Sequence, residues 1–195
     1  MDATDWDARY AAAELEWGAE PNRWVAAALA DLPSGRALDL GAGEGRNALW
    51  LARRGWTVTA VDFSGVGLGK GRELAGELPV TWVVRDLLEF PVTPGAYDAV
   101  LAAYLHLDPD ARRTVFRAAA EGLAPGGVLL VVGHDTTNLT DGAGGPKDAA
   151  ILFTPDDVVA DLAGLPGLHT DRAERVRRPV GDAEAIDALV QIRRV

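Results

Sequence analysis

The stretch "RALDLGAGEGRNALWLARRG", residues 36–55, decides the fold. Residues 36–40 form a short apolar run that ends in glycine, and residues 47–54 carry apolar side chains at helical spacing with Gly55 as a stop. Strand, glycine turn and helix follow in that order. Gly41, Gly43 and Gly45 occupy the turn, and Asp39 and Glu44 stand beside and within it. A glycine turn leading from a strand into a helix ordinarily cradles a phosphate, so two carboxylates there are out of place.

The alternation continues outward. Residues 56–63 ("WTVTAVDF") read as a β-branched strand, followed by a helix ending near Leu78 and a third strand over 80–86. Residues 96–107 supply a fourth strand that runs into a loop, 109–123 an amphipathic helix, and 126–135 a fifth strand. Two helices, over 5–16 and 21–31, precede the first strand, with Pro21 at the first position of the second. A helix begins at Thr154 and Pro155 with acids in its first turn. The tail reads as two strands around a turn at Gly181. The expectation is a doubly wound α/β domain: a seven-stranded, mostly parallel, Rossmann-like sheet with an antiparallel C-terminal edge strand.

With 195 residues, 48% of them hydrophobic, the chain suits one core, so residues 1–195 are expected to form a single domain. Residues 1–34 are expected to act as a helical lid segment and 136–150, rich in turn formers, as a mobile active-site loop. The absence of cysteine excludes disulfides, zinc–thiolate sites and thiol nucleophiles, and no metal site is expected. No apolar run is long enough to span a membrane and no leader is legible, which makes the cytoplasm the expected location. The net charge of −10 argues against nucleic acid. The basic cluster at 172–178 and the pair Arg193 and Arg194 read as solvated strand.

The turn does not fit a dinucleotide. That fingerprint is G-x-G-x-x-G, whereas the spacing here is G-x-G-x-G. A pyrophosphate about 4 to 6 Å from Asp39 or Glu44 would also meet repulsion of the order of a kcal/mol or more. The turn suits a cation. S-adenosylmethionine is a nucleoside with a cationic end and no phosphate, whose ammonium Asp39 can accept while the glycines let the backbone approach closely. The second glycine run, "SGVGLGKG" at 64–71, lacks the spacing of a P-loop, and its glycines are awkward in a helix, so a frayed first turn is expected there.

In order along the chain, "ALDLGAGEGRN", "VDFS", "RDLLEF", "YDAVLAAYLHL" and "LAPGGVLLVV" resemble the successive motifs of the class I S-adenosylmethionine-dependent methyltransferases. The opening "WDARY...WGAEPNR" resembles small-molecule members near the tellurite-resistance and thiopurine-type enzymes. The resemblance implies a cofactor site made of Asp39, Gly41, Ala42, Gly43, Gly45, Asn47, Asp62, Phe63, Ser64, Asp86, Leu87 and Ala103, with Trp17 covering it. It gives Asp62 the ribose hydroxyls, Asp86 the adenine amino group and the Leu87 backbone the ring. Each acid has a plainer reading too: Asp39 and Asp86 as turn residues, and Asp62 as a helix cap in competition with Ser64.

Tyr104, His106, His134 and Asn138 fall at the carboxyl edge and are the candidates to meet a substrate, with His106 and His134 the candidate catalytic bases. Asp135 is a further loop candidate. The implied activity is methyl transfer to a small-molecule acceptor, leaving S-adenosyl-L-homocysteine, by a monomer or homodimer. A nicotinamide-dependent oxidoreductase and a non-catalytic S-adenosylmethionine-binding protein are the alternatives.

Overall fold

The computed structural model describes residues 2–195. Seven strands form one sheet: β1 (Arg36–Leu40), β2 (Thr57–Asp62), β3 (Val80–Val84), β4 (Tyr97–Ala103), β5 (Leu123–His134), β6 (Leu168–Val180) and β7 (Ala183–Arg194). Their order is β3-β2-β1-β4-β5-β7-β6. β1 to β5 pair in parallel, and β7 pairs antiparallel with both β5 and β6. The expected doubly wound sheet is therefore present, and the last strand in the chain lies inside it. β6 forms the outer edge, because β7 carries the apolar run that β5 needs as a neighbour while β6 is charged and exposed along most of its length.

The order of strands reverses between β1 and β4, which opens a crevice above their carboxyl ends where doubly wound sheets bind ligands. Period-two alternation divides the core between the two faces of the sheet. Leu38, Leu40, Val100, Phe116 and Phe153 pack on one side; Val25, Ala37, Leu51, Trp56 and Leu101 pack on the other. Asp39 shares the face of Ala37 and so points toward the helices that follow the glycine turn. Among the described residues no helix is long and apolar enough to cross a membrane.

The leading helices depart from expectation. α1 (Ala3–Ala12) stops four residues early, and α2 (Arg23–Leu29) starts after Asn22, whose side chain accepts from the Trp24 and Val25 amides. Lys70 explains the first difference: its ammonium takes the carbonyls of Tyr10, Ala13 and Glu14, which frees the chain to turn over the sheet instead of continuing as helix. Asn22 explains the second, since its amide supplies a cap that Pro21 lacks.

The glycine run at 64–71 also departs from expectation. It forms α4 (Gly65–Ala75), with a tied first turn: the Ser64 hydroxyl accepts from the Gly67 amide and Asp7 accepts from the Val66 amide. Gly67 and Gly71 lie one turn apart on the inner face. A Cβ on Gly67 would stand 2.9 Å from the Tyr10 ring, and one on Gly71 would stand 2.6 Å from Trp82 and 2.8 Å from the Glu44 carbonyl. Those two glycines let α4 press against the turn after β1; Gly65 and Gly69 face open space.

This difference gives a paired expectation for urea unfolding. Gly71→Ala should destabilise the fold by about 1 to 3 kcal/mol through overpacking. Gly69→Ala should be neutral or stabilise it by up to about 1 kcal/mol. Equal effects from the two variants would show that close approach is not what the glycines provide.

Candidate active site

The turn after β1 is built on left-handed glycines. Gly41, Gly43 and Gly45 have φ of 73°, 56° and 77°, a region that costs other residues energy. Gly45 opens α3 (Arg46–Arg53). The amides of Gly41 and Ala42 both bond the Val61 carbonyl, so the turn folds back onto the end of β2. Asp62 locks it there: one carboxylate oxygen accepts from the Gly43 amide at 2.8 Å and the other from the Ser64 amide at 2.8 Å. Asp62 and Ser64 thus share the work at that corner, Asp62 holding the turn and Ser64 capping α4.

Glu44 has a different role from that of Asp39. It is buried, its Oε1 lies 3.1 Å from Lys70 Nζ, and its Oε2 accepts from the Glu16 amide at 2.8 Å. Glu44 and Lys70 together fasten residues 10–16 across the turn. The carboxylate within the glycine run is therefore a strap for the N-terminal segment.

Asp39 has no such partner. It is 1% exposed, and its Oδ2 makes no hydrogen bond among the described residues. Burial, with a smaller contribution from the charge of Asp62, pushes its carboxyl up to about 7, against the opposing charge of Arg46 and the Ala48 amide. A buried, partly unanswered carboxylate in a turn of left-handed glycines suits a cationic ligand group approaching the backbone. Arg46, whose Nη1 donates to the Trp17 carbonyl, places a positive charge beside it.

Other expected cofactor residues are placed unevenly. Ala42 and Ala103 pack against the core below the turn, Leu87 against the opposite core, and Phe63 is partly exposed. Asp86 is exposed, and one of its oxygens accepts from the Leu88 amide as a turn. Asn47 is occupied elsewhere: its Oδ1 accepts from the Asn22 amide, fastening α3 to the N-terminal segment. Trp17 is 45% exposed and packs on Trp6 and Arg9. The aromatic residue that covers the turn is Tyr10, whose hydroxyl would stand 2.5 Å from a Cβ on Gly43. Its signal in the sequence was a large ring in an alanine-rich helix, where it is the one buried side chain of α1.

The ends of β4 and β5 hold a second cluster. Tyr104 has φ of 58°, the only left-handed non-glycine among the described residues. Its ring lies 5.2 Å from that of His134, and His106 stacks on His134 at 5.5 Å. As a catalytic base His106 is corrected by the structure. Its Nε2 accepts from the His134 amide at 3.1 Å, and burial beside His134 lowers it to about 4, so its lone pair is already spent.

Asn138 is corrected as a substrate contact: it is buried, with its amide nitrogen on the Gly144 carbonyl and its oxygen on the Ile186 amide. Those bonds, the Ala143 amide on the Glu184 carbonyl and the short helix α6 (Asn138–Asp141) tie down the loop after β5. Asp135 accepts from the Thr137 amide and hydroxyl and pairs with Arg175 at 2.9 Å.

Asp187 was missed. This fully buried carboxylate of β7 accepts from the Tyr104 hydroxyl at 2.7 Å and from Arg178 at 2.8 Å. Its signal was a lone acid within the otherwise apolar run 185–190. Arg178 belongs to the basic cluster expected to be solvated and is drawn inward by that acid.

Three comparisons accompany this geometry. Residues 37–127 match the family model described as a methyltransferase domain. An uncharacterized methyltransferase of Mycobacterium tuberculosis is 35% identical over 106 residues, 54% of this chain and 53% of that protein. A ubiquinone biosynthesis O-methyltransferase of Xanthomonas campestris is 32% identical over 123 residues, 62% of this chain and 50% of that protein. The chain thus spans about half the length of the curated relatives it matches. The N-methyltransferase NodS of Bradyrhizobium japonicum, solved with S-adenosyl-L-homocysteine, superimposes with a TM-score of 0.75 at 16% identity, covering 98% of this chain and 97% of that one. At that identity the likeness is one of fold.

The environment of Asp39 sets a pH dependence of stability. An acid whose folded pKa is raised binds its proton more tightly when folded, so stability falls as pH rises from about 4 toward 7. Asp39→Asn should accordingly stabilise the ligand-free protein at pH 8 by roughly 1 to 3 kcal/mol and change it little at pH 4. A variant less stable than the parent at pH 8 would show that the carboxylate is fully answered within the fold.

Proposed function

We propose, from the match of residues 37–127 to the family model described as a methyltransferase domain, that this chain transfers a methyl group from S-adenosylmethionine to a small-molecule acceptor. The observation that carries this reading is the buried Asp39 Oδ2 at the glycine turn, without a hydrogen-bond donor among the described residues. A zwitterionic amino-acid tail needs an anion and a cation close together, and Asp39 with Arg46 supplies both signs. The rest of the reading distributes the cofactor over the carboxyl edge. Asp62 keeps lone pairs beyond its two backbone bonds for a ribose diol, Asp86 and the Leu87 backbone serve the adenine, and Tyr10 with the strapped N-terminal segment covers the turn.

The cofactor supplies a methyl on a sulfonium, which leaves as a neutral thioether by in-line displacement. The chain's own contribution is then orientation and exclusion of water: Lys70 and Glu44 hold the cover closed, and Tyr104 and His134 line the acceptor side. The net charge of −10 favours a small acceptor over nucleic acid. The enzyme acts as a monomer or homodimer in the cytoplasm.

Calorimetric titration tests the assignment. Asp39 must lose its proton to face a cation, so affinity for S-adenosylmethionine should rise roughly tenfold between pH 5.5 and pH 7. In Asp39→Asn it should be weaker and nearly flat over that range. Binding of NAD in place of S-adenosylmethionine, or binding indifferent to residue 39, would overturn the reading.

A further inference from the structure

Asp187 faces His134 across the antiparallel register of β5 and β7. Its two oxygens have unequal surroundings. Oδ2 receives the Tyr104 hydroxyl at 2.7 Å, Arg178 Nε at 2.8 Å and Trp24 Nε1 at 3.4 Å. Among the described residues Oδ1 receives no hydrogen bond; it stands 3.5 Å from His134 Nδ1, itself buried and without a hydrogen-bond partner there. A buried carboxylate oxygen and a buried ring nitrogen that face each other satisfy one another only with a proton between them, and an ionised carboxylate accepts it from the nitrogen.

The remaining surroundings of the ring support the same state. His106 stacks on it with planes 18° apart, and Gly145 lies so close that a Cβ there would stand 2.8 Å from three ring atoms. With Nδ1 turned to Asp187 and the ring covered, Nε2 is the nitrogen left for a ligand. Tyr104 joins this cluster to the glycine turn, since the adjacent Leu105 packs 3.3 Å from a Cβ position on Gly41.

We propose that His134, held by Asp187 as the Nδ1–H tautomer, is the proton acceptor of the site and that the methyl acceptor is a hydroxyl compound of the phenol class. The inference rests on the methyl-transfer reading above. Tyr104, Arg178 and Trp24 are positioning residues that fill Oδ2 and leave Oδ1 for the imidazole. A thiol is a few per cent thiolate at neutral pH and strongly nucleophilic in that form, and the neutral fraction of an amine offers its lone pair directly. A phenol must lose its proton as it attacks, and a positioned base contributes about 10²- to 10⁴-fold there. In the balanced transfer the acceptor oxygen bonds to the methyl carbon, the electron pair of the broken carbon–sulfur bond stays on sulfur, and the acceptor's proton ends on His134 Nε2, where Asp187 stabilises the imidazolium.

The groups facing His134 keep it a free base at neutral pH. Burial lowers its pKa most, Arg178 and Lys147 lower it further, and Asp187 opposes them. His106 is neutral, and the Tyr104 hydroxyl, raised by burial and Asp187, stays protonated.

Two measurements test the proposal. Long-range ¹H–¹⁵N spectra of the wild-type chain at pH 7.5 should show His134 protonated on Nδ1 alone, and moving to a mixture of tautomers in Asp187→Asn. An Nε2–H tautomer or an imidazolium in the wild type overturns the proposal without need of a variant. With S-adenosylmethionine and a panel of phenols from catechol to 4-nitrophenol, His134→Gln should lower kcat by 10²-fold or more and leave the cofactor Kd within twofold. Transfer to no phenol of the panel, or a kcat for His134→Gln within threefold of the parent, overturns it. These results with cofactor binding intact remove only this inference, whereas a wild-type chain that does not bind S-adenosylmethionine removes the methyl-transfer reading itself.

Discussion

A carboxylate shut off from water at the end of β1 is the constraint around which the crevice is arranged. Desolvating an ionised group is costly unless something of opposite charge or a set of donors answers it. Asp39 receives only partial relief from Arg46 and the Ala48 amide, and its pKa rises in consequence. The fold accepts that cost because the surrounding turn is held by other means: the Val61 carbonyl and the Asp62 carboxylate gather the amides of residues 41–43. Stability comes from the scaffold, and Asp39 Oδ2 is left without a donor among the described residues.

The two carboxylates of the glycine turn differ in their partners. Glu44, with Lys70 and the Glu16 amide, has both of its oxygens engaged and secures the N-terminal segment. Lys70 reaches that position because α4 lies close to the turn, and α4 lies close because Gly67 and Gly71 carry no Cβ. A glycine pattern that weakens a helix in isolation is thereby converted into helix-to-turn contact, in which packing outweighs a propensity loss of roughly 1 kcal/mol per residue.

On the other side of the crevice, histidines that look alike in sequence are separated by their hydrogen bonds. His106 spends its Nε2 lone pair on a backbone amide, whereas His134 makes no side-chain hydrogen bond among the described residues and faces Asp187. Asp187 also accounts for the left-handed Tyr104, since its bonds to the tyrosine hydroxyl and to Arg178 hold that residue in a conformation it would not adopt alone.

The order of strands and helices was legible in the chain because it depends on local periodicity, turn residues and caps, which act within a few residues. β1 is readable in full from "RALDL" followed by glycine, and the position of Asp39 beside the turn follows from it. The end of α1 was not legible, because Lys70, 57 residues away from Ala13, takes the carbonyls that would have continued the helix. The partners of Asn47, Asn138 and His106 were not legible for the same reason: Asn47 Oδ1, Asn138 Oδ1 and His106 Nε2 each accept from a backbone amide remote in sequence. Asp187 lay unremarked in an apolar strand until the sheet set it opposite His134. The sequence by itself determined which elements form and which side chains end at the carboxyl edge; the tertiary structure alone decided which of those side chains still have a lone pair or a charge to offer, because that depends on partners that only folding brings within reach.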